Sequence, residues 1–286
     1  MEKEKNKVAF SSMIAAVFLT AFKLIVGVMT GSLGILSEAL HSALDLVAAA
    51  ITWISVRISD KPADKNHHFG HGKIENLSAL IETILLLVTC VWIVYEATNR
   101  LISGNTEIEV SIWSYIVVCS SIIIDITRSR ALKRVAKKYN SQALEADALH
   151  FSTDIWSSLV VLLGLICANF GIFIADSIAA LGVAIIVVFI SIKLGKRAID
   201  VLLDKAPTEL TQQISEYLKN ISEIRYYHDL RVRSSGADTL VEVIIHLNPD
   251  LNLVETHDIT TKIELELKNI IKRGEVLIHA EPHGFE

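Results

Sequence analysis

Apolar residues in the first two-thirds of the chain fall into long runs instead of periodic stripes. Six runs stand out: Val8 to Thr30, Leu33 to Ile58, Leu77 to Leu101, Ile112 to Ala136, Leu144 to Ala168 and Ile172 to Ile192. A bilayer core of about 30 Å asks for about 20 mostly apolar residues of helix, and each run is long enough. They predict six membrane-spanning helices. After Lys205 the pattern changes. A polar helix opens at Pro207 and Thr208 and ends near Ile221. Two alternating runs, Tyr226 to Arg233 and Thr239 to Leu247, flank a turn at Ser234 to Ala237 and predict a hairpin. Val254 to Ile271 places Ile259, Ile263, Leu267 and Ile270 at helical spacing, and Val276 to Ala280 reads as a last strand. The expected fold is therefore an all-α membrane domain of six transmembrane helices over residues 1–205. A small cytosolic α+β domain of order αββαβ, like a metallochaperone, follows over residues 206–286.

Composition supports this division. The chain has 286 residues, 51% apolar and 21% charged, with a mean hydropathy of +0.45. A soluble domain carries about 25% charge, so a purely soluble enzyme is a poor fit. Cys90, Cys119 and Cys167 all lie in apolar runs and cannot make a disulfide framework. The apolar stretch after the N-terminal MEKEKNK is too long for a signal peptide. Residues 1–205 carry 19 Lys and Arg against 18 Asp and Glu, whereas residues 206–286 carry 8 against 14 and five of the ten histidines. The two halves are built for different solvents.

Basic residues set the orientation. They cluster at Lys3, Lys5 and Lys7, at Arg57 to Lys73, at Arg128 to Lys138 and at Lys193 to Lys205. The first and fifth connections have none and the third has only Arg100. This alternation places both termini in the cytoplasm. The short loops favour a prokaryotic plasma membrane.

Two of the apolar runs carry chemistry. The second contains His41 and Asp45, the fifth His150 and Asp154, each pair at HxxxD spacing. Residues four apart share one helix face. Two such faces packed together make an N2O2 cage with the ligand number and geometry of Zn²⁺. Two carboxylates at membrane depth need a counter-charge, which a divalent cation supplies and protons can replace. A single HxxxD could be an interhelical hydrogen bond, but two copies on two spans favour a metal site. No HExxH occurs, which removes the zincin reading. On the next polar loop Asp64, His67 and His71 offer three more N and O donors within eight residues.

These residues carry a resemblance over essentially the whole chain. With six spans, paired HxxxD, the loop from Asp64 through His67, His68 and His71 to Glu75, the stretch Ala146 to Asp154 and a His-bearing αββαβ tail, the sequence resembles the cation diffusion facilitator family of divalent-metal transporters. The resemblance implies a homodimer that exports Zn²⁺ or a related ion from the cytoplasm by proton antiport. The transport ligands would be His41, Asp45, His150 and Asp154. Asp64, His67 and His71 match a second metal site. Lys73 and Asp204 match the halves of a charge interlock at the dimer interface. His228, His246, His257 and His279 match tail ligands for regulatory zinc, with Glu281 where the family usually has Asp. The implied partners are divalent metal ions, protons, the lipid bilayer and a second copy; nucleic acid is not among them. Zn²⁺ is expected ahead of Co²⁺, Fe²⁺, Ni²⁺, Cd²⁺ or Mn²⁺; the absence of Cys and Met among the four donors disfavours Cu⁺, and the two imidazoles disfavour Mg²⁺ and Ca²⁺. The competing reading is a membrane-anchored zinc sensor without flux.

Overall fold

The computed structural model describes residues 2–31, 33–103, 112–169 and 174–284. Six long helices come first: α1 (Glu2–Thr30), α2 (Leu33–Ser59), α3 (Lys73–Ser103), α4 (Ile112–Tyr139), α5 (Gln142–Asn169) and α6 (Ile174–Leu202). Then come α7 (Thr208–Lys219), β1 (Tyr226–Ser235), β2 (Asp238–Leu247), α8 (Leu253–Ile271) and β3 (Gly274–Pro282). The chain divides into two compact units, Met1–Ile199 and Asp200–Glu286. Ile172, where the sixth apolar run begins, lies outside the described residues.

The first unit has its polarity turned inside out. Phe18, Val28, Met29, Val91, Trp92, Ile185 and Phe189 are exposed, while Lys5, Glu75, Glu82, Asp147 and His150 are buried. In water this arrangement would be costly, but around a helical bundle it is what hydrocarbon demands. Among the described residues α1, α2, α3 and α4 are long and apolar enough to cross a membrane, and α5 and α6 are comparably long at 28 and 29 residues. Several helices outrun their apolar segments: α3 begins at Lys73 and α6 continues to Leu202. A backbone that leaves the hydrocarbon keeps its intrahelical bonds, so the apolar run measures the membrane and not the helix.

Small residues set the packing. Ala9 and Ala16 of α1, Ala49 of α2, Ala136 of α4, and Ala143 and Ala148 of α5 share one core with Val56, Leu132 and Phe151. Without a hydrophobic force between helices in lipid, close backbone approach and interhelical hydrogen bonds hold them. Ser129 Oγ donates to the Ala148 carbonyl at 2.9 Å, joining α4 to α5. Thr20 Oγ1 donates to the Ser42 carbonyl at 2.8 Å, joining α1 to α2.

In the second unit β1 and β2 pair antiparallel and β2 and β3 parallel, in the order β1-β2-β3. Val241, Val243, Ile245 and Leu247 of β2 point to one face and pack on Ile214 and Leu218 of α7 and on Ile263, Leu267 and Ile271 of α8. α8 starts on a capping box. Asn252 Oδ1 accepts from the Val254 and Glu255 amides at 2.9 and 3.0 Å, and Glu255 accepts from the Asn252 amide at 2.9 Å. Because side chains alternate along a strand, the even-numbered residues of β2 face away from both helices.

Candidate metal-transport site

The HxxxD faces of α2 and α5 meet. His150 Nε2 lies 3.0 Å from Asp45 Oδ1 and 3.8 Å from Asp154 Oδ2. His41 Nε2 lies 3.7 Å from Asp154 Oδ1 and 3.9 Å from Asp45 Oδ1. Each imidazole thus faces both carboxylates. Ligands on a tetrahedral metal with bonds of about 2.0–2.1 Å stand about 3.3 Å apart. One ligand atom each from His41, Asp45 and Asp154 lies within 4.8 Å of the other two, and His150 stands beside them, 3.0 Å from Asp45, but outside that mutually close group. Burial is uneven across the group: the side chain of His41 is 31% exposed and that of His150 only 3%. His150 Nδ1 and Asp154 Oδ2 are buried without a hydrogen-bond partner. A cation inserted among the four would give Asp154 Oδ2 a partner, whereas His150 Nδ1 is on the ring edge away from Nε2 and the two carboxylates.

Two further groups gather outside the membrane helices. On the loop, Asp64 Oδ1 is 3.2 Å from His67 Nδ1, and Asp64 Oδ2 is 3.4 Å from His71 Nε2. The local backbone explains the gathering. The Asn66 and His67 amides donate to Asp64 Oδ1 at 2.8 and 2.7 Å, and Gly70 turns the chain with φ of +74°. These amide bonds hold the Asp64 carboxyl below the ordinary aspartate range. In the tail, strand register does the work. His246 pairs with Tyr226 on β1 and Glu281 on β3, while Ile244 pairs with His228 and His279. All four metal-type residues therefore share the sheet face turned away from α7 and α8. His228, His246 and Glu281 bring ligand atoms within 4.8 Å of one another, and Glu281 also lies 3.3 Å from His279. His257 is placed differently. It is exposed on α8, on the other side of the sheet, and within one chain it does not join this group.

The family profile described as the cation efflux transmembrane domain matches residues 9–203, and that described as the cation efflux protein cytoplasmic domain matches residues 206–283. The chain belongs to the cation efflux, or cation diffusion facilitator, family. Relatives include the cation-efflux pump FieF of Shigella boydii serotype 18, 30% identical over 278 residues that cover 97% of this chain and 92% of that one. The cation-efflux pump FieF of Pectobacterium atrosepticum is 30% identical over 279 residues, 94% and 92% of the two chains. Among solved structures, the metal-bound C-terminal domain of the CzcD transporter from Thermotoga maritima covers 27% of this chain and 91% of its own, at 24% identity and a TM-score of 0.26. A member of this family is a multi-pass membrane transporter and not an enzyme, with a helical membrane domain and an αββαβ cytoplasmic domain.

Sequence reasoning named the His and Asp residues that meet between α2 and α5, but little of what supports them. Asp125 pairs with Arg128 at 3.3 Å, as their spacing suggests. Glu38 pairs with Lys23 at 3.1 Å. Arg128 also donates to Ser12 at 3.2 Å and stacks 3.5 Å over the Phe151 ring. Asp147 accepts from Ser12 at 3.4 Å. Thr52 donates to Glu82, as does Ser78 at 3.2 Å. Ser and Thr partners of this kind give no pattern in a sequence, because their role depends on which helices meet.

Proposed function

We propose that this cation efflux protein exports a divalent metal ion, Zn²⁺ before others, from the cytoplasm in exchange for protons, through His41, Asp45, His150 and Asp154. The observation that carries the reading is the set of four donor separations, from 3.0 to 3.9 Å, each between an imidazole nitrogen of one pair and a carboxylate oxygen. Two carboxylates balance a dication. Once it leaves, protons are the replacement that keeps the charges neutralised at membrane depth, and the four donors are all proton acceptors. None of the four donors is a thiol or thioether, and Cys90 is buried among Leu86 and Val187. Soft Cu⁺ is thereby disfavoured, and two imidazoles disfavour Mg²⁺ and Ca²⁺. The relatives named above are cation-efflux pumps of bacteria, which supports a prokaryotic cell membrane, and the profile matching residues 206–283 is described as a cytoplasmic domain, which supports a cytoplasmic C-terminus.

Asp64, His67 and His71 would form a second, solvent-facing metal site. In the tail, His228, His246, His279 and Glu281 would hold resident zinc. The donors fit it: both ring nitrogens of buried His246 lack a hydrogen-bond partner, and its centroid is 5.2 Å from that of His228. Two imidazoles on one tetrahedral metal stand about 5 Å apart by centroid. Such zinc would supply charge neutralisation in an acidic domain. His257, on the other side of the sheet, would serve only across a homodimer, where Lys73 and Asp204 would supply the charge interlock.

The test is reconstitution into liposomes with Zn²⁺ and proton movement recorded together under an imposed pH gradient. Zinc flux driven by the gradient, and lost in Asp154→Asn, supports the exchanger. Tight zinc binding with no flux overturns it in favour of the sensor.

A further inference from the structure

Lys5 is the most deeply buried lysine of the membrane unit, 1% exposed, although it sits in the first turns of a helix with polar neighbours. Its ammonium lies 2.5 Å from Asp60 Oδ1 and 2.9 Å from Glu75 Oε1. Glu75, also 1% exposed, is a hub. Ser59 Oγ donates to its Oε1 at 3.1 Å, and Ser141 Oγ donates to its Oε2. One carboxylate therefore ties together the start of α1, the end of α2, the first turn of α3 and the α4–α5 turn. All of these lie at the helix ends that the basic residues of the loops assign to the cytoplasm.

The transport group lies well below this knot. Ser59 is fourteen residues from Asp45 along α2, and Ser141 thirteen from Asp154, or about 20 Å of helix at 1.5 Å per residue. Within the group His41, nearer the outer end of α2, is the more exposed imidazole, and His150, nearer the cytoplasmic end of α5, the more buried. Export requires a path from the cytoplasm to these ligands, and such a path must pass the helix ends that Glu75 ties together.

We infer that Lys5, Asp60 and Glu75, with Ser59 and Ser141, form a latch that closes the cytoplasmic mouth of the transport path, and that inward opening breaks the bonds of Glu75. The chemistry suits a switch. A buried ion pair between long side chains is held by geometry and not by net stability, because desolvation offsets much of the attraction. Asp60 Oδ2 is buried without a hydrogen-bond partner, so the closed knot is not fully satisfied. Lys5 also pins both ends of the loop bearing Asp64, His67 and His71, since Asp60 precedes that loop and Glu75 follows it. Metal arriving at the loop is thereby mechanically joined to the mouth. The inference rests on the exchanger reading, but its test does not depend on flux.

The probe is Ser55→Cys, 7% exposed and one turn deeper than Ser59 on the same face of α2, in a full-length chain with Cys90, Cys119 and Cys167 replaced by Ser. A membrane-impermeant maleimide is applied from the cytoplasmic side of inside-out vesicles containing EDTA. Lys5→Gln or Glu75→Gln should raise the labelling rate at least tenfold, whereas Lys5→Arg should not. Val117→Cys, buried with Val26 and Ile35 near the outer ends of the helices, is the control and should stay unreactive. Unchanged labelling at Ser55→Cys overturns the latch, and so does a parallel rise at Val117→Cys, which would show general loosening. If Glu75→Gln does not fold, Ser141→Ala removes one donor and should give a smaller rise at Ser55→Cys alone. Absence of metal flux in the unmodified protein would instead overturn the exchanger.

Discussion

His150 Nε2 lies 3.0 Å from Asp45 Oδ1, a contact that joins α5 to α2 across 105 residues of sequence. It makes each helix supply the other's counter-group, so neither HxxxD pair is complete alone.

Asp45→Asn and Asp154→Asn should each reduce metal flux by at least about 100-fold while leaving a folded protein. Each substitution keeps the side chain's size and removes one of the two charges that balance a dication. Losing one partner of a buried charge interaction costs about 3–5 kcal/mol, or more than a factor of 100 in affinity. Flux in proteoliposomes and zinc binding by calorimetry measure the two effects separately. Near-normal flux in either variant would remove that carboxylate from the transport group.

Much of this was legible in the sequence because the bilayer simplifies the problem. Apolar runs mark the helices, and a fixed spacing of four puts His41 with Asp45 and His150 with Asp154 before any packing is known. The tail was legible for a different reason. Its strands alternate apart from a register shift in β1 between His228 and Arg231, and α7 and β1 begin in the structure at Thr208 and Tyr226, where the pattern changes. What the sequence hid was partnership. Glu75 and Lys5 are separated by 70 residues and read as an ordinary loop acid and an orienting N-terminal base. The sheet face shared by His228, His246, His279 and Glu281 depends on register, which no local pattern reports. His257 shows the same limit in reverse, since its proximity in sequence does not place it on that face.

Asp64 should stay ionised to unusually low pH. Its carboxyl lies below the ordinary value of 3.8, first because of the Asn66 amide and then because of the His67 amide. A depressed carboxylate contributes stability that is complete above its unfolded value and is lost as pH falls through its folded one. The amide resonances of Asn66 and His67 should therefore titrate together with a midpoint below 3.8. Asp64→Asn keeps an acceptor for the turn but has no titration, and it should weaken metal binding at the loop. A midpoint above the ordinary aspartate value would mean that the turn does not hold the carboxylate.

Gly274→Ala should destabilise the cytoplasmic domain. Gly274 has φ of +138°, where L side chains are strained, and a Cβ there would fall 1.7 Å from the Thr239 carbonyl oxygen. Thr239 is its register partner on β2, so relief requires the parallel strand pair to part at its first residues. Strain alone costs about 1–3 kcal/mol, before the clash is counted. Hydrogen exchange in β3 should rise by a factor of at least about 10. The described membrane helices should be unaffected, and flux loss without β3 loosening would contradict this account.

His246→Leu should stabilise the metal-free tail and abolish its response to zinc. His246 is 1% exposed, and neither ring nitrogen has a hydrogen-bond partner. Its Nε2 stands 3.7 Å from Glu281 Oε2, too far for a hydrogen bond. A buried polar group left in this state costs about 1–3 kcal/mol, and leucine removes the polar atoms while filling similar space. Strand β2 should exchange its amides more slowly in EDTA by a factor of about 5 or more, which corresponds to about 1 kcal/mol. Zinc at 100 times its dissociation constant would protect the unmodified tail by about 2.7 kcal/mol, and that increment should vanish in the variant. A structural histidine behaves in the opposite way. If His246→Leu loosens β2 in EDTA and zinc still protects it, then His246 supports the sheet and binds no metal.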